Sequence, residues 1–263
     1  MTLYSKFNIS KKIAIVVGGS GQLGSSTIKI LLEANCLVIN LDLYEKNKIN
    51  NKNYFFFKLN ITKEKQVNSV KKKIKKKFKK IDILINHSHF KGHNKKLIAH
   101  NDFFSDLIKY PTNMWKMAMD VNLNGMFFVT KYFLPLLLKN KKSVIVNTSS
   151  TYGKVSPNKN IYGKTGISCP ISYSTSKFAI IGFTKYLATH YADQGLRANT
   201  LVPGGIKNSS HLLYFKKNYS KNTPLKRLSN QDDYKEAMLF LVSDASSYMT
   251  GSELIVDGGW TAW

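Results

Sequence analysis

Two side chains that could move a proton stand four residues apart in the stretch SYSTSK, at Tyr173 and Lys177. At the start of a predicted helix this spacing places both on one face. A tyrosine with an ordinary pKa of about 10 is a poor acid or base at neutral pH, but a nearby ammonium group favours the phenolate and lowers that pKa. The pair therefore predicts a general acid/base, and Ser150 could hold the substrate oxygen by a hydrogen bond. The alternative is a surface helix with an incidental tyrosine and lysine.

A glycine-rich stretch, GGSGQLG, follows the first predicted strand and precedes a predicted helix. One pattern uses Gly19, Gly21 and Gly24 but ignores Gly18, and another requires a glycine where Gln22 stands. The pattern of Gly18, Gly21 and Gly24 fits without exception. All three share Gly24, and all three predict a tight turn that presents backbone N–H groups to a pyrophosphate at the helix N-terminus.

An acidic residue, Asp42, stands 18 residues beyond Gly24 at the end of the second predicted strand. A carboxylate at this place can bind the ribose hydroxyls of NAD and would repel the 2′-phosphate of NADP. Lys46 and Lys48 are close in sequence and could weaken the repulsion, so we expect NAD to be preferred and NADP to be less favoured. The alternative is a glycine turn followed by an acidic residue that is there by chance.

Strand and helix patterns alternate along the whole chain and predict an α/β fold with a doubly wound parallel sheet in one domain, 1–263. Predicted strands cover 12–17, 36–43, 53–61, 81–86, 143–150, 197–203 and 252–259. Predicted helices cover 25–34, 66–79, 172–191 and 232–241, and the stretch 112–138 is predicted to carry one or two further helices. Three stretches that follow strands do not fit the alternation, 87–111, 154–171 and 207–224. Because loops beyond the carboxyl ends of the strands build the site in such sheets, we expect these stretches to line it.

The formal charge of +25 invites a nucleic-acid function, but the kind of basic residue argues against it. Only Arg197 and Arg227 among the 40 basic residues are arginines, the side chain that forks onto phosphate and guanine. The run KKKIKKKFKK predicts a helix with Val70, Ile74 and Phe78 inward and its lysines in water. We therefore expect no nucleic-acid partner.

The chain has no apolar run long enough for a transmembrane helix, and its polar first residues lack the apolar core of a secretion signal. Cys36 and Cys169 are too few for a disulfide framework. We expect a cytoplasmic protein without a membrane partner.

His93, His100 and His190 show no spacing that suggests a metal site, so we expect no metal.

Taken together, the stretches VVGGSGQLG, LDL, IDILIN, DVNLNG, NTSS, YSTSK, RANTLVPGGI and TGSELIVDGG resemble the short-chain dehydrogenase/reductase family over nearly the whole chain. The resemblance implies a three-layer, Rossmann-like α/β/α domain and hydride transfer between an alcohol or ketone and NAD(P). It implies a catalytic set of Asn122, Ser150, Tyr173 and Lys177. It implies cofactor contacts from Gly18, Ser20, Gly21, Gln22, Leu23, Gly24, Asp42, Leu43, Asn60, Ile61, Asn86, Tyr173, Lys177, Pro203, Gly204 and Ile206.

The resemblance also implies individual roles. Tyr173 would be the general acid/base, Lys177 would bind the nicotinamide ribose and lower the tyrosine pKa, and Ser150 would polarise the reacting oxygen. Asn122 would hold a water that links Lys177 to solvent, and Asn60 would contact the adenine. The turn at 203–206 would seat the nicotinamide. The family also implies a homo-oligomer, a tetramer or dimer, formed through the helices 112–138 and 172–191.

Departures from the family pattern are of two kinds, substituted residues and an insert. The usual N-N-A-G after the fourth strand is NHSH here, and we interpret His87 and His89 as part of a substituted structural turn rather than as ligand contacts. Asn208 replaces a usual threonine.

The second departure is an insert: Ser150 and Tyr173 are 23 residues apart, a gap similar to that of the extended branch that acts on nucleotide sugars. Only 90 residues follow Tyr173, too few for the added substrate domain of the extended branch, so the chain resembles the compact branch. Within that branch it is most similar to oxidoreductases of flagellin-modification and nonulosonic sugar pathways. We therefore expect a small sugar-like substrate. The alternatives are a 3-oxoacyl carrier-protein reductase and a non-catalytic dinucleotide-binding protein.

Overall fold

The computed structural model of the protein describes residues 3–90, 92, 102–163, 167–209 and 211–263. Among these residues, seven parallel strands form one sheet in the order β3-β2-β1-β4-β5-β6-β7. The strands are β1 (Ile13–Val17), β2 (Leu37–Asp42), β3 (Tyr54–Lys58), β4 (Ile83–Asn86), β5 (Ser143–Thr148), β6 (Leu196–Pro203) and β7 (Glu253–Val256). The strand order reverses between β1 and β4, so a crevice opens there beyond their carboxyl ends. The predicted doubly wound sheet is confirmed.

Helices cover both faces of the sheet and give it the predicted three layers. They are α1 (Gln22–Glu33), α2 (Glu64–Phe78), α3 (Thr112–Met119), α4 (Gly125–Leu137), α5 (Ile171–His190), α6 (Leu213–Asn222) and α7 (Lys235–Val242). Strand β1 shows how one apolar run serves two cores, since successive side chains point to opposite faces. Ile15 packs with Ile74 and Phe133 on one face, whereas Val16 packs with Ile28 on the other.

The lysine-rich helix α2 has the predicted arrangement. Val67, Val70 and Ile74 are buried against the sheet, Phe78 packs at the edge of the same core, and most of the lysines between them are exposed. No helix among the described residues is both long and apolar enough to cross a membrane.

The structure decides between one and two helices in one predicted stretch, and it contains one helix that was not predicted. The helical stretch 112–138 is two α-helices joined by a π-helical turn, Asp120–Asn124, which contains the predicted catalytic Asn122. In addition, the stretch 207–224 contains α6, which the sequence did not predict. The α6 sequence LYFKKNYSKN has three lysines and only one buried residue, Tyr219, so no apolar stripe marks it.

Candidate active site

The glycine loop is shaped by close backbone contacts at its two ends. Gly18 has φ +75°, and a Cβ there would lie 2.9 Å from the Ser88 nitrogen. A Cβ on Gly24 would overlap the Gly18 carbonyl oxygen, so helix α1 can pack this closely only with glycine at both positions. Gly21, the N-cap of α1, has φ −74° and is less constrained. Gly19 is as crowded as Gly24 because a Cβ there would overlap the Asn40 side chain, a requirement that the Gly18-Gly21-Gly24 pattern omits.

The Asp42 carboxylate lies beside this loop, as the sequence predicts. Its Oδ2 accepts a hydrogen bond from the Ser20 nitrogen at 2.9 Å, and its Oδ1 accepts one from the Leu43 nitrogen at 2.7 Å. The Leu59 nitrogen donates to the Asp42 carbonyl, which brings Asn60 and the end of β3 next to it. Asn60 Oδ1 accepts from the backbone and hydroxyl of Thr62, so this side-chain oxygen fixes its own turn. Ile61 is buried and packs against α4 at Gly125.

Asn86, a predicted cofactor contact, directs its side chain into the protein. Its Nδ2 donates to Asn147 Oδ1 at 2.8 Å, and Asn147 Nδ2 donates to Thr184 Oγ1 at 2.9 Å. The residue is only 2% exposed. The side chain therefore ties β4 to β5 and α5, and the cofactor contact expected for Asn86 stays a prediction.

His87 is a buried cross-link between two elements of the site, in agreement with the structural interpretation. Its Nε2 is 2.9 Å from Thr27 Oγ1 in α1, and its Nδ1 is 2.8 Å from Thr148 Oγ1 at the end of β5. Burial lowers the pKa of His87 to about 3, and the charge of Lys177 acts in the same direction. The imidazole is therefore neutral at physiological pH and accepts at one nitrogen while donating at the other.

The predicted catalytic side chains come together at the carboxyl end of β5 and the first turns of α5. The Tyr173 phenol lies next to Ser150, which acts to lower the tyrosine pKa. Lys177 Nζ donates to the Thr148 carbonyl at 2.9 Å and lies 5.6 Å from the centre of the Tyr173 ring. The four-residue spacing thus does place tyrosine and lysine on one helix face, with the serine opposite.

Burial dominates the electrostatics of this cluster. Burial raises the pKa of Tyr173 to about 12, although the hydrogen bond with Ser150 acts in the opposite direction. Burial lowers the pKa of Lys177 to about 7. The lowering of the tyrosine pKa by Lys177 stays a prediction, since burial raises that pKa here and Lys177 Nζ donates to the Thr148 carbonyl.

Asn122 connects the catalytic helix to the turn after β4. Its Oδ1 accepts from the Phe90 nitrogen at 2.6 Å, and its Nδ2 donates to Ser176 Oγ at 2.9 Å. Ser176 Oγ donates in turn to the Tyr173 carbonyl at 2.8 Å. Both polar atoms of the Asn122 side chain thus have protein partners, so the side chain positions α5 next to the turn. The water-holding role expected for Asn122 stays a prediction.

The segment after β6 closes the other side of the crevice. The Gly204 nitrogen donates to the Val256 carbonyl at 2.9 Å beside Pro203, and Ile206 pairs with the chain at Ser229. Gln22 reaches across from the glycine loop, and its Nε2 donates to the Lys207 carbonyl at 2.7 Å. The neighbouring Leu23 packs against the core on the α1 side. The glycine loop and the 203–207 segment are therefore joined directly.

An aromatic wall next to Tyr173 is the main feature that sequence reasoning missed. Its buried centre is Tyr152, Ile161, Tyr219, Leu228 and Trp260, with Val155, Tyr162, Cys169, Tyr173 and Phe215 packed against it. Tyr219 and Trp260 stack with ring centres 4.2 Å apart and an interplanar angle of 7°. The insert supplies Tyr162, and α6 supplies Tyr219. Only a prediction of α6 from the sequence could have placed these residues together.

Fold and site together define a class: an α/β enzyme that binds a dinucleotide at the carboxyl edge of a parallel sheet beside a tyrosine-lysine pair. A family model described as "Enoyl-(Acyl carrier protein) reductase" matches residues 38–261. A solved short-chain dehydrogenase from Leptospira borgpetersenii with bound NAD+ is 30% identical, with a TM-score of 0.86 over 99% of this chain and 97% of that one. The protein belongs to the short-chain dehydrogenase/reductase family, and it is an oxidoreductase of the kind that acts on CH–OH groups with NAD(P).

Two curated relatives match over nearly the full length but differ in substrate. The 3-oxoacyl-(acyl-carrier-protein) reductase of Thermotoga maritima is 28% identical over 94% of this chain and 97% of its own. The NAD-dependent glycerol dehydrogenase of Listeria innocua is also 28% identical, over 97% of this chain and 96% of its own. Family membership thus leaves the substrate class to be decided by residues of this chain.

Proposed function

We propose that the protein interconverts a secondary alcohol and a ketone on a sugar or sugar derivative, with NAD preferred to NADP. The observation that carries the proposal is that Tyr173 lies next to Ser150 and Lys177, at the edge of the sheet where the glycine loop and Asp42 also lie. The nicotinamide of the bound cofactor supplies or accepts the hydride.

The protein's own residues fit such a cofactor. Glycine at positions 18 and 24 lets the loop pack closely against the start of α1, whose first backbone N–H groups can bind a pyrophosphate. Asp42, held by the Ser20 and Leu43 nitrogens, presents a carboxylate to ribose hydroxyls. The same carboxylate would repel a 2′-phosphate, which favours NAD.

The proton chemistry follows from the pKa values. In the reducing direction a ketone oxygen accepts hydrogen bonds from Ser150 and Tyr173, and the phenol then gives its proton to the oxygen as negative charge develops there. A tyrosine whose pKa is raised to about 12 is fully protonated at neutral pH and can serve as this acid. Alcohol oxidation requires the phenolate of Tyr173, which takes the hydroxyl proton of the alcohol and becomes the phenol, so oxidation should become faster at higher pH.

The sugar-like substrate is supported by the insert and the aromatic wall. Tyr162 and Cys169 from the insert and Phe215 from α6 pack around Tyr173, and aromatic faces are good surfaces for the apolar faces of sugar rings. The length of the insert and the Gly18-Gly21-Gly24 pattern favour sugar-handling relatives, among them the oxidoreductases of flagellin-modification and nonulosonic sugar pathways.

A second candidate is reduction of a 3-oxoacyl group on an acidic carrier protein. It is favoured by the Thermotoga maritima relative and by the charge of +25, which could attract an acidic partner. Asp42 favours NADH, whereas a reductase of that type ordinarily uses NADPH. The test is a screen of sugars, nucleotide sugars and a 3-oxoacyl thioester with both cofactors. Turnover of a sugar with NAD supports the proposal, and turnover of the thioester alone with NADPH contradicts it.

The proposal extends to assembly and location. Phe127 on α4 and Phe178 on α5 are 45% and 47% exposed, and Tyr186 on α5 is 53% exposed, so these two helices carry an apolar surface suited to pairing with a second copy. We expect a dimer or tetramer, which light scattering coupled to size-exclusion chromatography would distinguish from a monomer. The free thiols Cys36 and Cys169 are consistent with a cytoplasmic protein.

A further inference from the structure

The short turn that follows β4 crosses the crevice from the glycine loop to the catalytic set. The His87 nitrogen donates to the Val17 carbonyl at the end of β1. The backbone of Ser88 lies against Gly18, since a Cβ on Gly18 would be 2.9 Å from the Ser88 nitrogen and 3.0 Å from its Cα. Two residues later the Phe90 nitrogen donates to Asn122. His89 is therefore fixed between the pyrophosphate end of the crevice and the catalytic end.

The two histidines of this turn differ in exposure and orientation. His87 is 7% exposed and bound at both ring nitrogens by threonines. His89 is exposed, and its ring meets the Tyr173 ring edge-on, with centres 6.3 Å apart and an interplanar angle of 70°. The interpretation of both as one structural turn is thus right for His87, while His89 projects to the catalytic tyrosine.

Residues along the crevice indicate which part of a bound dinucleotide would lie next to His89. Asp42 marks the adenosine ribose, the loop between Gly18 and Gly24 marks the pyrophosphate, and Tyr173 marks the reacting end. An extended dinucleotide that follows these landmarks places its second ribose between the loop and the tyrosine. His89 occupies this interval.

We propose that the His89 imidazole hydrogen-bonds the nicotinamide ribose and thereby positions the reacting half of the cofactor against Tyr173. The inference rests on the proposed dinucleotide site and deepens it. A ribose offers two hydroxyls that both donate and accept, and an imidazole can pair with them in either neutral tautomer. The edge-on contact with Tyr173 limits the ring's freedom, so less entropy is lost when the hydrogen bond forms.

Binding of cofactor fragments tests this without knowledge of the substrate. Calorimetry would compare ADP, which lacks the second ribose, with ADP-ribose, which contains it, and with NADH. His89→Phe keeps an aromatic ring beside Tyr173 but removes the ring nitrogens, and His89→Gln keeps a hydrogen-bonding group. The matched control is His190→Phe at the exposed end of α5.

We expect His89→Phe to weaken ADP-ribose and NADH binding about three- to ten-fold, the usual effect of one hydrogen bond, with ADP changed less than two-fold. His89→Gln should recover part of the loss, and His190→Phe should bind all three ligands like the unmodified protein. Unchanged ADP binding also reports that the variants are folded. Equal loss for ADP and ADP-ribose, or no loss for either, would overturn the assignment of His89. If the unmodified protein bound neither NADH nor ADP-ribose, the proposed function itself would fail, and the inference with it.

Discussion

Buried Lys177 makes the free energy of unfolding depend on pH. The substitution Lys177→Met removes this contribution and so allows it to be measured. Lys177 is 3% exposed, and burial lowers its pKa from 10.5 to about 7. In the unfolded chain the pKa returns to its ordinary value. Between pH 7 and about pH 10 the unfolded chain therefore binds a proton that the folded protein does not, so the free energy of unfolding rises with pH in this range. Below pH 7 the lysine is protonated in both states, and the cost of a buried ammonium is fully present.

Each pKa unit corresponds to about 1.4 kcal/mol, so the contribution of Lys177 changes by about 2 kcal/mol between pH 7 and pH 9. Lys177→Met removes the titrating group while nearly preserving side-chain length. The difference in the free energy of unfolding, unmodified protein minus variant, should increase by this amount over that range. Other groups with perturbed pKa values, such as Cys36, titrate in both proteins and cancel in the difference.

The assay is urea unfolding followed by tryptophan fluorescence at pH 6, 7, 8 and 9 for both proteins. A difference that is flat between pH 6 and 7 and rises above pH 7 supports a neutralised, buried lysine. A difference that stays constant from pH 6 to 9, or that falls, would refute the reasoning, because it would mean that Lys177 keeps its ordinary pKa in the folded protein.

Two further predictions concern the cofactor end and the buried histidine. Asp42→Ser should remove the repulsion of a 2′-phosphate, so the Kd of NADPH should fall about ten-fold while NADH binding weakens. Fluorescence titration measures both Kd values, and an unchanged ratio of the NADH Kd to the NADPH Kd would contradict the role of Asp42. His87→Leu should lower the free energy of unfolding by about 2 kcal/mol, because the hydroxyls of Thr27 and Thr148 lose their buried partner. His87→Gln, which can still hydrogen-bond, is the control, and equal stability of the Leu variant and the unmodified protein would contradict the cross-link.

The sequence was sufficient for those parts of the fold that depend on local patterns. Apolar runs such as IAIVV are buried on both faces of a parallel sheet, so their length and flanking glycines identify them as strands. The spacing of Tyr173 and Lys177 and the position of Asp42 at a strand end also follow from local geometry. These features are the ones that the structure brings together as predicted.

Features that depend on tertiary context could not be predicted in this way. Helix α6 has no apolar stripe because it packs by one buried tyrosine, Tyr219, against Trp260, far away in sequence. The pKa of Tyr173 is set by burial under the insert and α6, which spacing alone does not reveal. The different roles of His87 and His89 depend on which face of a short turn each side chain occupies.

In the proposed reaction Tyr173 transfers the proton that accompanies hydride transfer, and the Tyr173→Phe substitution examines this role. This substitution removes only the phenolic oxygen and leaves the ring that packs among the aromatic residues of the site. Once a substrate has been found in the screen, kcat for ketone reduction should fall by at least about a thousand-fold, while the Kd of NADH, measured in the same preparation, should change less than three-fold. Turnover that survives this substitution intact would show that another group is the acid and would contradict the account.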